Sequence, residues 1–399
     1  VNKAKQASVE FALRWQSAEA THVERLYYEK VNFWRDFFPG ALGDRLAVLP
    51  PGKGDAQSFT AGTLVAAYDR HLVYRIRPAQ LNLKLRTGQT IPARSGRFYP
   101  RGMIRGLPDV FSGDRRPFRY LGEDGDRLRV DLNHPLARYP LTVEAAVVEV
   151  HGVQAEHGGR SHDVVHDLTE NGPGMQAADP GVATDFYAEE PFARIDDRDD
   201  ALFYRQPRLV QHLDSAARRR VTEIYARFLA PGMQVLDLMS SWVSHLPEAP
   251  DLHVTGLGLN SDELGKNPRL AERRVHDLNS EPRLPFKDGQ FDAVVCTASV
   301  EYLVRPFEVF REVARVLRAG APFVLTFSER WFPPKVVQVW TELHPFERLG
   351  LVLDYFRQSD GFGDLHTESI RGLPRPADDP YADTLALSDP VYAVWGKKP

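Results

Sequence analysis

Along residues 4–38 the apolar positions recur at loose helical spacing among charges. They are Phe11, Leu13 and Trp15, then Val23, Leu26 and Tyr27, then a run up to Phe38. The pattern predicts an N-terminal helical segment over residues 1–43, stopped by Pro39-Gly40. Beyond residue 44 the apolar runs become short, with Pro50-Pro51, Gly52, Gly54 and Gly88 between them. Strands are expected at 46–49, 63–68, 72–76 and 81–85, then at 118–121, 127–132 and 141–150. The stretch from Gly122 to Asp126 has the residues that tolerate positive φ in a turn. Residues 44–150 read as a mostly-β domain.

Residues 151–200 read as an acidic linker containing Gly and Pro; positions 185–200 carry Asp185, Glu189, Glu190, Asp196, Asp197, Asp199 and Asp200. From 201 the pattern alternates. A helix is expected at 214–228, strands at 234–238, 254–259, 274–278, 291–297 and 321–328, a helix at 306–317, and a last strand at 390–396. Alternating β and α elements predict an α/β domain over 201–399, a Rossmann-like doubly wound sheet.

Composition narrows the function classes. A chain of 399 residues with 43% hydrophobic and 26% charged positions is long enough for two or three domains without covalent staples. The single Cys296 cannot form an intramolecular disulfide. A net charge of −4 gives no global attraction for nucleic acid or anionic membrane, so neither is an expected partner. The apolar runs fall short of the ~18 residues of a membrane span, and the first residues are polar. A cytoplasmic location is expected.

Ligands of open α/β sheets bind beyond the carboxyl ends of the strands. In this chain those ends carry Asp237 to His245, Asn260, Asp277-Leu278-Asn279 and Thr297 to Tyr302, a polar residue at each. Capping of the next helix is the other use of such residues. Two segments carry a more specific signal. One runs Leu284-Pro-Phe-Lys-Asp-Gly-Gln-Phe291-Asp292-Ala-Val-Val-Cys296, the other from Val309 to Gly320. Both resemble the class I S-adenosylmethionine-dependent methyltransferases of the type 11 group. The resemblance implies S-adenosylmethionine as cofactor; the methyl acceptor is expected to be a small molecule. It places Asp237, Met239 and Ser240 in the first cofactor motif, Asn260 at the ribose, and Asp277 and Leu278 beside the adenine. Thr297 and Ala298 fall near the methionine part, with Tyr204 ahead of the fold. The family's glycines after the first acid are replaced by Met239-Ser240-Ser241-Trp242, and its second acid by Asn260. A less characterised branch carries a similar Leu-Met-Ser-Ser-Trp-Val-Ser-His-Leu-Pro run, which implies variant binding.

The catalytic candidates are His245, Tyr302 and Arg330. His245 is the candidate base because an unperturbed imidazole titrates near ~6.5. Cys296 sits in an apolar strand and reads as core. The aromatic-rich stretch 330–362, with Trp331, Phe332, Trp340, Phe346, Tyr355 and Phe356, is the expected cover of the acceptor site. No acid–base pair or metal cluster stands out, so a thiol or other soft nucleophile is the favoured acceptor.

In the first half, the run from Val130 to Ala137 (Val-Asp-Leu-Asn-His-Pro-Leu-Ala) and the strand after it resemble the SlyD-type FKBP peptidyl-prolyl isomerases. The resemblance implies a β-barrel with a flap insertion at about 100–137. The aromatic segment before the flap is poorly matched by Arg94 to Tyr99, so the expected role is scaffold, homodimer contact or protein-partner binding. Two alternatives remain: an isomerase or chaperone with an inactive methyltransferase-like half, and a protein methyltransferase. His151, His157, His162 and His166 have irregular spacing, and no metal is expected there.

Overall fold

Val9, Phe11, Leu13 and Trp15 are spaced by two, and all four are buried. Alternate residues of a strand share a face, so the predicted N-terminal helix is instead strand β1 (Lys5–Gln16), followed by β2 (Thr21–Asn32). The period of two prevails because it sends the whole apolar set into one core with Val143, Ala145 and Val147. The structure, a computed structural model, describes residues 5–84, 90–153, 160–249 and 251–399. It divides into two units: residues 1–19, 23–189 and 343–350 in the first, and 20–22, 190–342 and 351–399 in the second.

The first unit continues with β3 (Gly54–Phe59), β4 (Val73–Ile76), β5 (Phe98–Pro100), β6 (Pro117–Asp124), β7 (Arg127–Asp131) and β8 (Leu141–Val153). Its strands lie in two open rows, β2-β1-β8-β3 and β4-β7-β6-β5, rather than in the expected barrel. The second row begins at residue 73, well before the expected flap, and has its own core of Ile76, Tyr99, Phe118, Tyr120 and Val130. The strand expected at 46–49 is replaced by a short helix, Leu42–Leu46, and the turn after it. Residues 63–66 form turns and 67–68 are irregular, and around 81–85 there are isolated bridges of Leu81 to Ile104 and of Lys84 to Thr90, with residue 85 outside the described residues. The expected linker is largely folded: Val164 and Leu168, on the helix Val164–Thr169, enter the core of β1. Gln176 donates to Glu24 Oε1 at 2.5 Å, and both side chains are buried. His157 lies outside the described residues.

The second unit carries β9 (Gln234–Leu238), β10 (His253–Gly258), β11 (Leu270–Val275), β12 (Ala293–Thr297), β13 (Pro322–Phe327), β14 (Gly363–Arg371) and β15 (Val391–Lys397). Their order is β11-β10-β9-β12-β13-β15-β14. The pairs from β11 to β13 are parallel; β15 runs antiparallel to both β13 and β14. The chain therefore winds outward from β9 in both directions, and the switch in strand order falls between β9 and β12. This is the predicted Rossmann-like α/β arrangement. The helix Ser215–Ala226 starts on Asp214, whose carboxylate accepts from the Ala216 and Ala217 amides at 2.9 Å. The helix Pro306–Val316 begins on proline and buries Val309, Phe310, Val313 and Val316 along one face.

Candidate active site

A cavity of about 180 Å³ opens beyond the carboxyl ends of β9, β10, β11 and β12. Its wall includes eleven of the twelve predicted site residues, while Arg330 is elsewhere. Arg330 Nε donates to Asp389 Oδ1 at 2.9 Å, and its guanidinium lies over the Tyr381 ring. Its position just past a strand end pointed to the cavity, but an acid far along the chain captures it.

At the end of β9, Asp237 is 3% exposed, and burial pushes its carboxyl up to about 7 against the opposing effect of hydrogen bonds from Ser240 and Ser244. Ser240 Oγ donates to Asp237 Oδ2 at 2.6 Å. Met239 has φ of 57°, a left-handed backbone at a position where the resembling family has glycine. Gly258 faces this loop closely: a Cβ there would lie 2.1 Å from Ser240 O. Close backbone packing survives here through the glycine of β10 rather than glycines of the loop.

Asn260 has both ends of its side chain engaged. Oδ1 accepts from the Asp262 and Glu263 amides at 2.9 and 3.0 Å, starting the helix Ser261–Lys266. Nδ2 donates to Tyr204 O at 2.8 Å and Arg205 O at 3.2 Å. An amide group offers two donors and an acceptor oxygen with two lone pairs, so this side chain is saturated by the chain itself. Asp277 likewise accepts from the Asn279 amide and from Ser280 Oγ, at 2.9 and 2.8 Å. Leu278 is buried beside it.

Thr297 turns its hydroxyl inward, 2.6 Å from Tyr225 Oη, which also lies 2.9 Å from Thr326 Oγ1 and 3.1 Å from Cys296 O. The Cys296 thiol is 1% exposed, and burial raises its pKa well above the ordinary value. Ala298 follows with φ of 46°, its amide donating to Thr326 O at 2.7 Å.

His245 lines the cavity with φ of 51°, and Thr222 Oγ1 donates to its carbonyl at 2.9 Å. Burial, and next the charge of Arg218, lower its imidazole to about 4. It is a neutral ring at physiological pH and a far weaker base than its residue type implied. Tyr302 is held well above the ordinary phenol range, chiefly by burial; its oxygen accepts from the Phe332 amide at 2.9 Å and its ring stacks on Phe332. Tyr302 therefore places Phe332, the one residue of the expected aromatic cover that reaches the cavity wall. Trp340, Phe346, Tyr355 and Phe356 are buried as core instead.

Sequence reasoning missed Arg208. Its guanidinium lies 4.4 Å from the Phe203 ring centroid and 5.1 Å from that of Phe332, within cation–π range. The Arg208 amide donates to Glu263 Oε1 at 2.7 Å and Nη2 to Phe203 O at 3.2 Å. Nη1 is buried and has no hydrogen-bond partner among the described residues. A buried, unpaired guanidinium nitrogen is costly, and a ligand carboxylate is the group that suits it. Opposite charge is also at hand, because Glu263 and Asp277 lie in the same wall. The donor set fits a ligand that carries both a carboxylate and cationic centres. Only an arginine near the start of the domain could have signalled this, and its stacking partners are too far along the chain to be read locally.

Residues 240–325 match the family described as "Methyltransferase domain", so the second unit contains a methyltransferase-type domain. Norajmaline N-methyltransferase of Rauvolfia serpentina is 29% identical over 97 residues, 23% of this chain. The match spans only 33% of that protein's length. Among solved structures, a chain of the complex between the Haloferax volcanii Trm112 methyltransferase activator and a methyltransferase is similar at 17% identity and a TM-score of 0.36, over 46% of this chain and 91% of that one. A SAM-dependent methyltransferase from Archaeoglobus fulgidus is similar at 16% identity and a TM-score of 0.33, over 46% and 93%. No helix among the described residues is long and apolar enough to cross a membrane.

Proposed function

We propose that the chain is an S-adenosylmethionine-dependent methyltransferase acting on a small acceptor, with a thiol or other soft nucleophile as the favoured class. The observation that carries this reading is Arg208, whose Nη1 is buried without a hydrogen-bond partner among the described residues, in the wall of a cavity at the switch point that also presents Glu263 and Asp277. Arg208 would hold the carboxylate of S-adenosylmethionine, and the acidic residues would face its cationic centres. When bound, this cofactor supplies a methyl group already activated on a sulfonium. The chain's own contribution is then chiefly orientation, which can be worth on the order of 7–11 kcal/mol in well-aligned cases. His245, neutral and weakly basic, suits accepting a hydrogen bond better than removing a proton from a reluctant acid. An acceptor whose lone pair is available without a strong base fits such a site.

The first unit is proposed as a scaffold or partner-binding element. Prolyl isomerisation needs an apolar pocket. The cavity walled by Tyr68, Phe98 and Tyr139 in this unit measures about 30 Å³, room for about two waters. Arg138 lies over the Tyr68 ring, and Arg119 is in the same wall.

The test is calorimetric titration of the full chain with S-adenosylhomocysteine. Binding is expected, and Arg208→Met should weaken it by roughly 10- to 100-fold, the worth of a charge-assisted hydrogen bond. Transfer of a labelled methyl group to a panel of thiols, amines and proteins then sorts the acceptors. Absence of binding would overturn the reading, and label appearing only in protein would replace the small acceptor by a macromolecular one.

A further inference from the structure

The loop from Met239 to His245 contains no glycine, yet it passes through left-handed φ at both ends, 57° at Met239 and 51° at His245. Six of its seven residues line the cavity, all but Ser244. Side chains hold this shape. Ser240 is tied forward to Asp237, and its amide donates to Leu257 O at 2.7 Å. Ser241 Oγ donates to Glu263 Oε2 at 2.6 Å.

The remaining tie comes from behind. Asn267 is fully buried and lies outside the cavity wall, at the end of the helix Ser261–Lys266. Its Nδ2 donates both hydrogens to the loop, to Ser241 O and to Ser244 Oγ, each at 2.8 Å. Its Oδ1 accepts from the Arg269 amide at 3.0 Å, which fixes which way the amide faces. An amide is the side chain that can donate twice and accept at once in a site this small.

We propose that Asn267 is a positioning residue for the cofactor, locking Ser241 and Ser244 so that a loop without glycines keeps the backbone course a cofactor needs. This rests on the cofactor reading given above. Asn267 touches no ligand itself. It acts through the 239–245 loop, whereas Asp277 and Leu278 stand on the separate segment after β11. Loosening the lock should therefore penalise a ligand that reaches across the cavity to the end of β9 more than a short one seated beside Asp277.

Full-length Asn267→Ala and the milder Ser244→Ala are titrated with S-adenosylhomocysteine and with adenosine, with thermal unfolding recorded alongside. Asn267→Ala should weaken S-adenosylhomocysteine binding by roughly 10- to 100-fold and Ser244→Ala by about fivefold, with adenosine affinity held within about twofold in both. Wild-type protein that binds S-adenosylhomocysteine while both variants bind it equally well would overturn the proposal alone. Equal losses for both ligands would also overturn it, since they mark general destabilisation. Wild-type protein that does not bind S-adenosylhomocysteine would remove the cofactor reading and this proposal together. Should Asn267→Ala fail to fold, the ligand split in Ser244→Ala decides.

Discussion

Asn260 Nδ2 lies 2.8 Å from the carbonyl oxygen of Tyr204, and this bond fastens the segment ahead of the domain to the end of β10. It gives a reason for an amide where the resembling family has an acid. A carboxylate at 260 could still cap the helix, but it would face the Tyr204 and Arg205 carbonyls with no hydrogen to offer. Asn260→Asp, the change that restores the family's residue, is expected to lower stability by about 1–3 kcal/mol. Cofactor affinity should fall with it. Urea unfolding together with S-adenosylhomocysteine titration checks this; tighter binding in the variant would mean that position 260 meets the ribose directly.

Met239 tests the backbone requirement. A left-handed φ costs an L-residue roughly 1–2 kcal/mol, and a β-branched side chain suffers most. Met239→Gly should keep ligand binding at the wild-type level. Met239→Val should unfold at lower denaturant and bind more weakly. Equal behaviour of the two variants would show that the side chain, not the backbone, matters there.

Tyr225 anchors the end of β12 from below through its contacts with Cys296 O, Thr297 and Thr326. Tyr225→Phe leaves these buried groups short of a partner and should cost about 1–3 kcal/mol. Equilibrium unfolding reads the loss directly.

Asp237 and His245 push the pH dependence of stability in opposite directions. Asp237, raised to about 7, keeps a proton in the folded state that the unfolded chain releases near ~4. Its contribution is complete below the unfolded value and is lost as pH rises through about 7. His245, lowered to about 4, stays neutral in the fold while the unfolded ring takes a proton below ~6.5, so its contribution is lost as pH falls through that window. Asp237→Asn should therefore gain on the wild type as pH rises from about 4 to 7. Urea midpoints across that range measure it, and parallel curves would show that Asp237 does not titrate there.

Much of the second unit was legible because its inner strands are continuous apolar runs. The expected strand at 234–238 is β9 itself, and the helix expected from residue 306 starts on Pro306. The edges were not. β11 presents Glu272, Arg273 and Arg274 to solvent, so its strand lies earlier than the 274–278 that hydrophobicity indicated. β14 was missed because its buried residues include Thr367, Glu368 and Ser369, with Glu368 paired to Arg227 at 2.7 Å. In β1 the alternation of Val9, Phe11, Leu13 and Trp15 is present, but the apolar residues between and after them also fit a helical period. At the site, strand ends indicated which residues gather around the cavity. They could not indicate that Asn260 and Thr297 spend their polar groups on the chain itself, or that Asp389 holds Arg330. Those outcomes depend on partners brought together only by the fold.

Cys296 is the chain's one thiol, and it is sealed inside β12, the strand flanked by β9 and β13. Thiol reagents attack the thiolate, which burial here suppresses. Chemical labelling must therefore wait until β12 comes out from between its neighbours. The protein thus carries an intrinsic stopwatch for the opening of its innermost sheet, readable by a coloured disulfide reagent without an engineered probe. A cofactor that binds at the ends of these strands should slow that clock in proportion to how firmly it holds them shut.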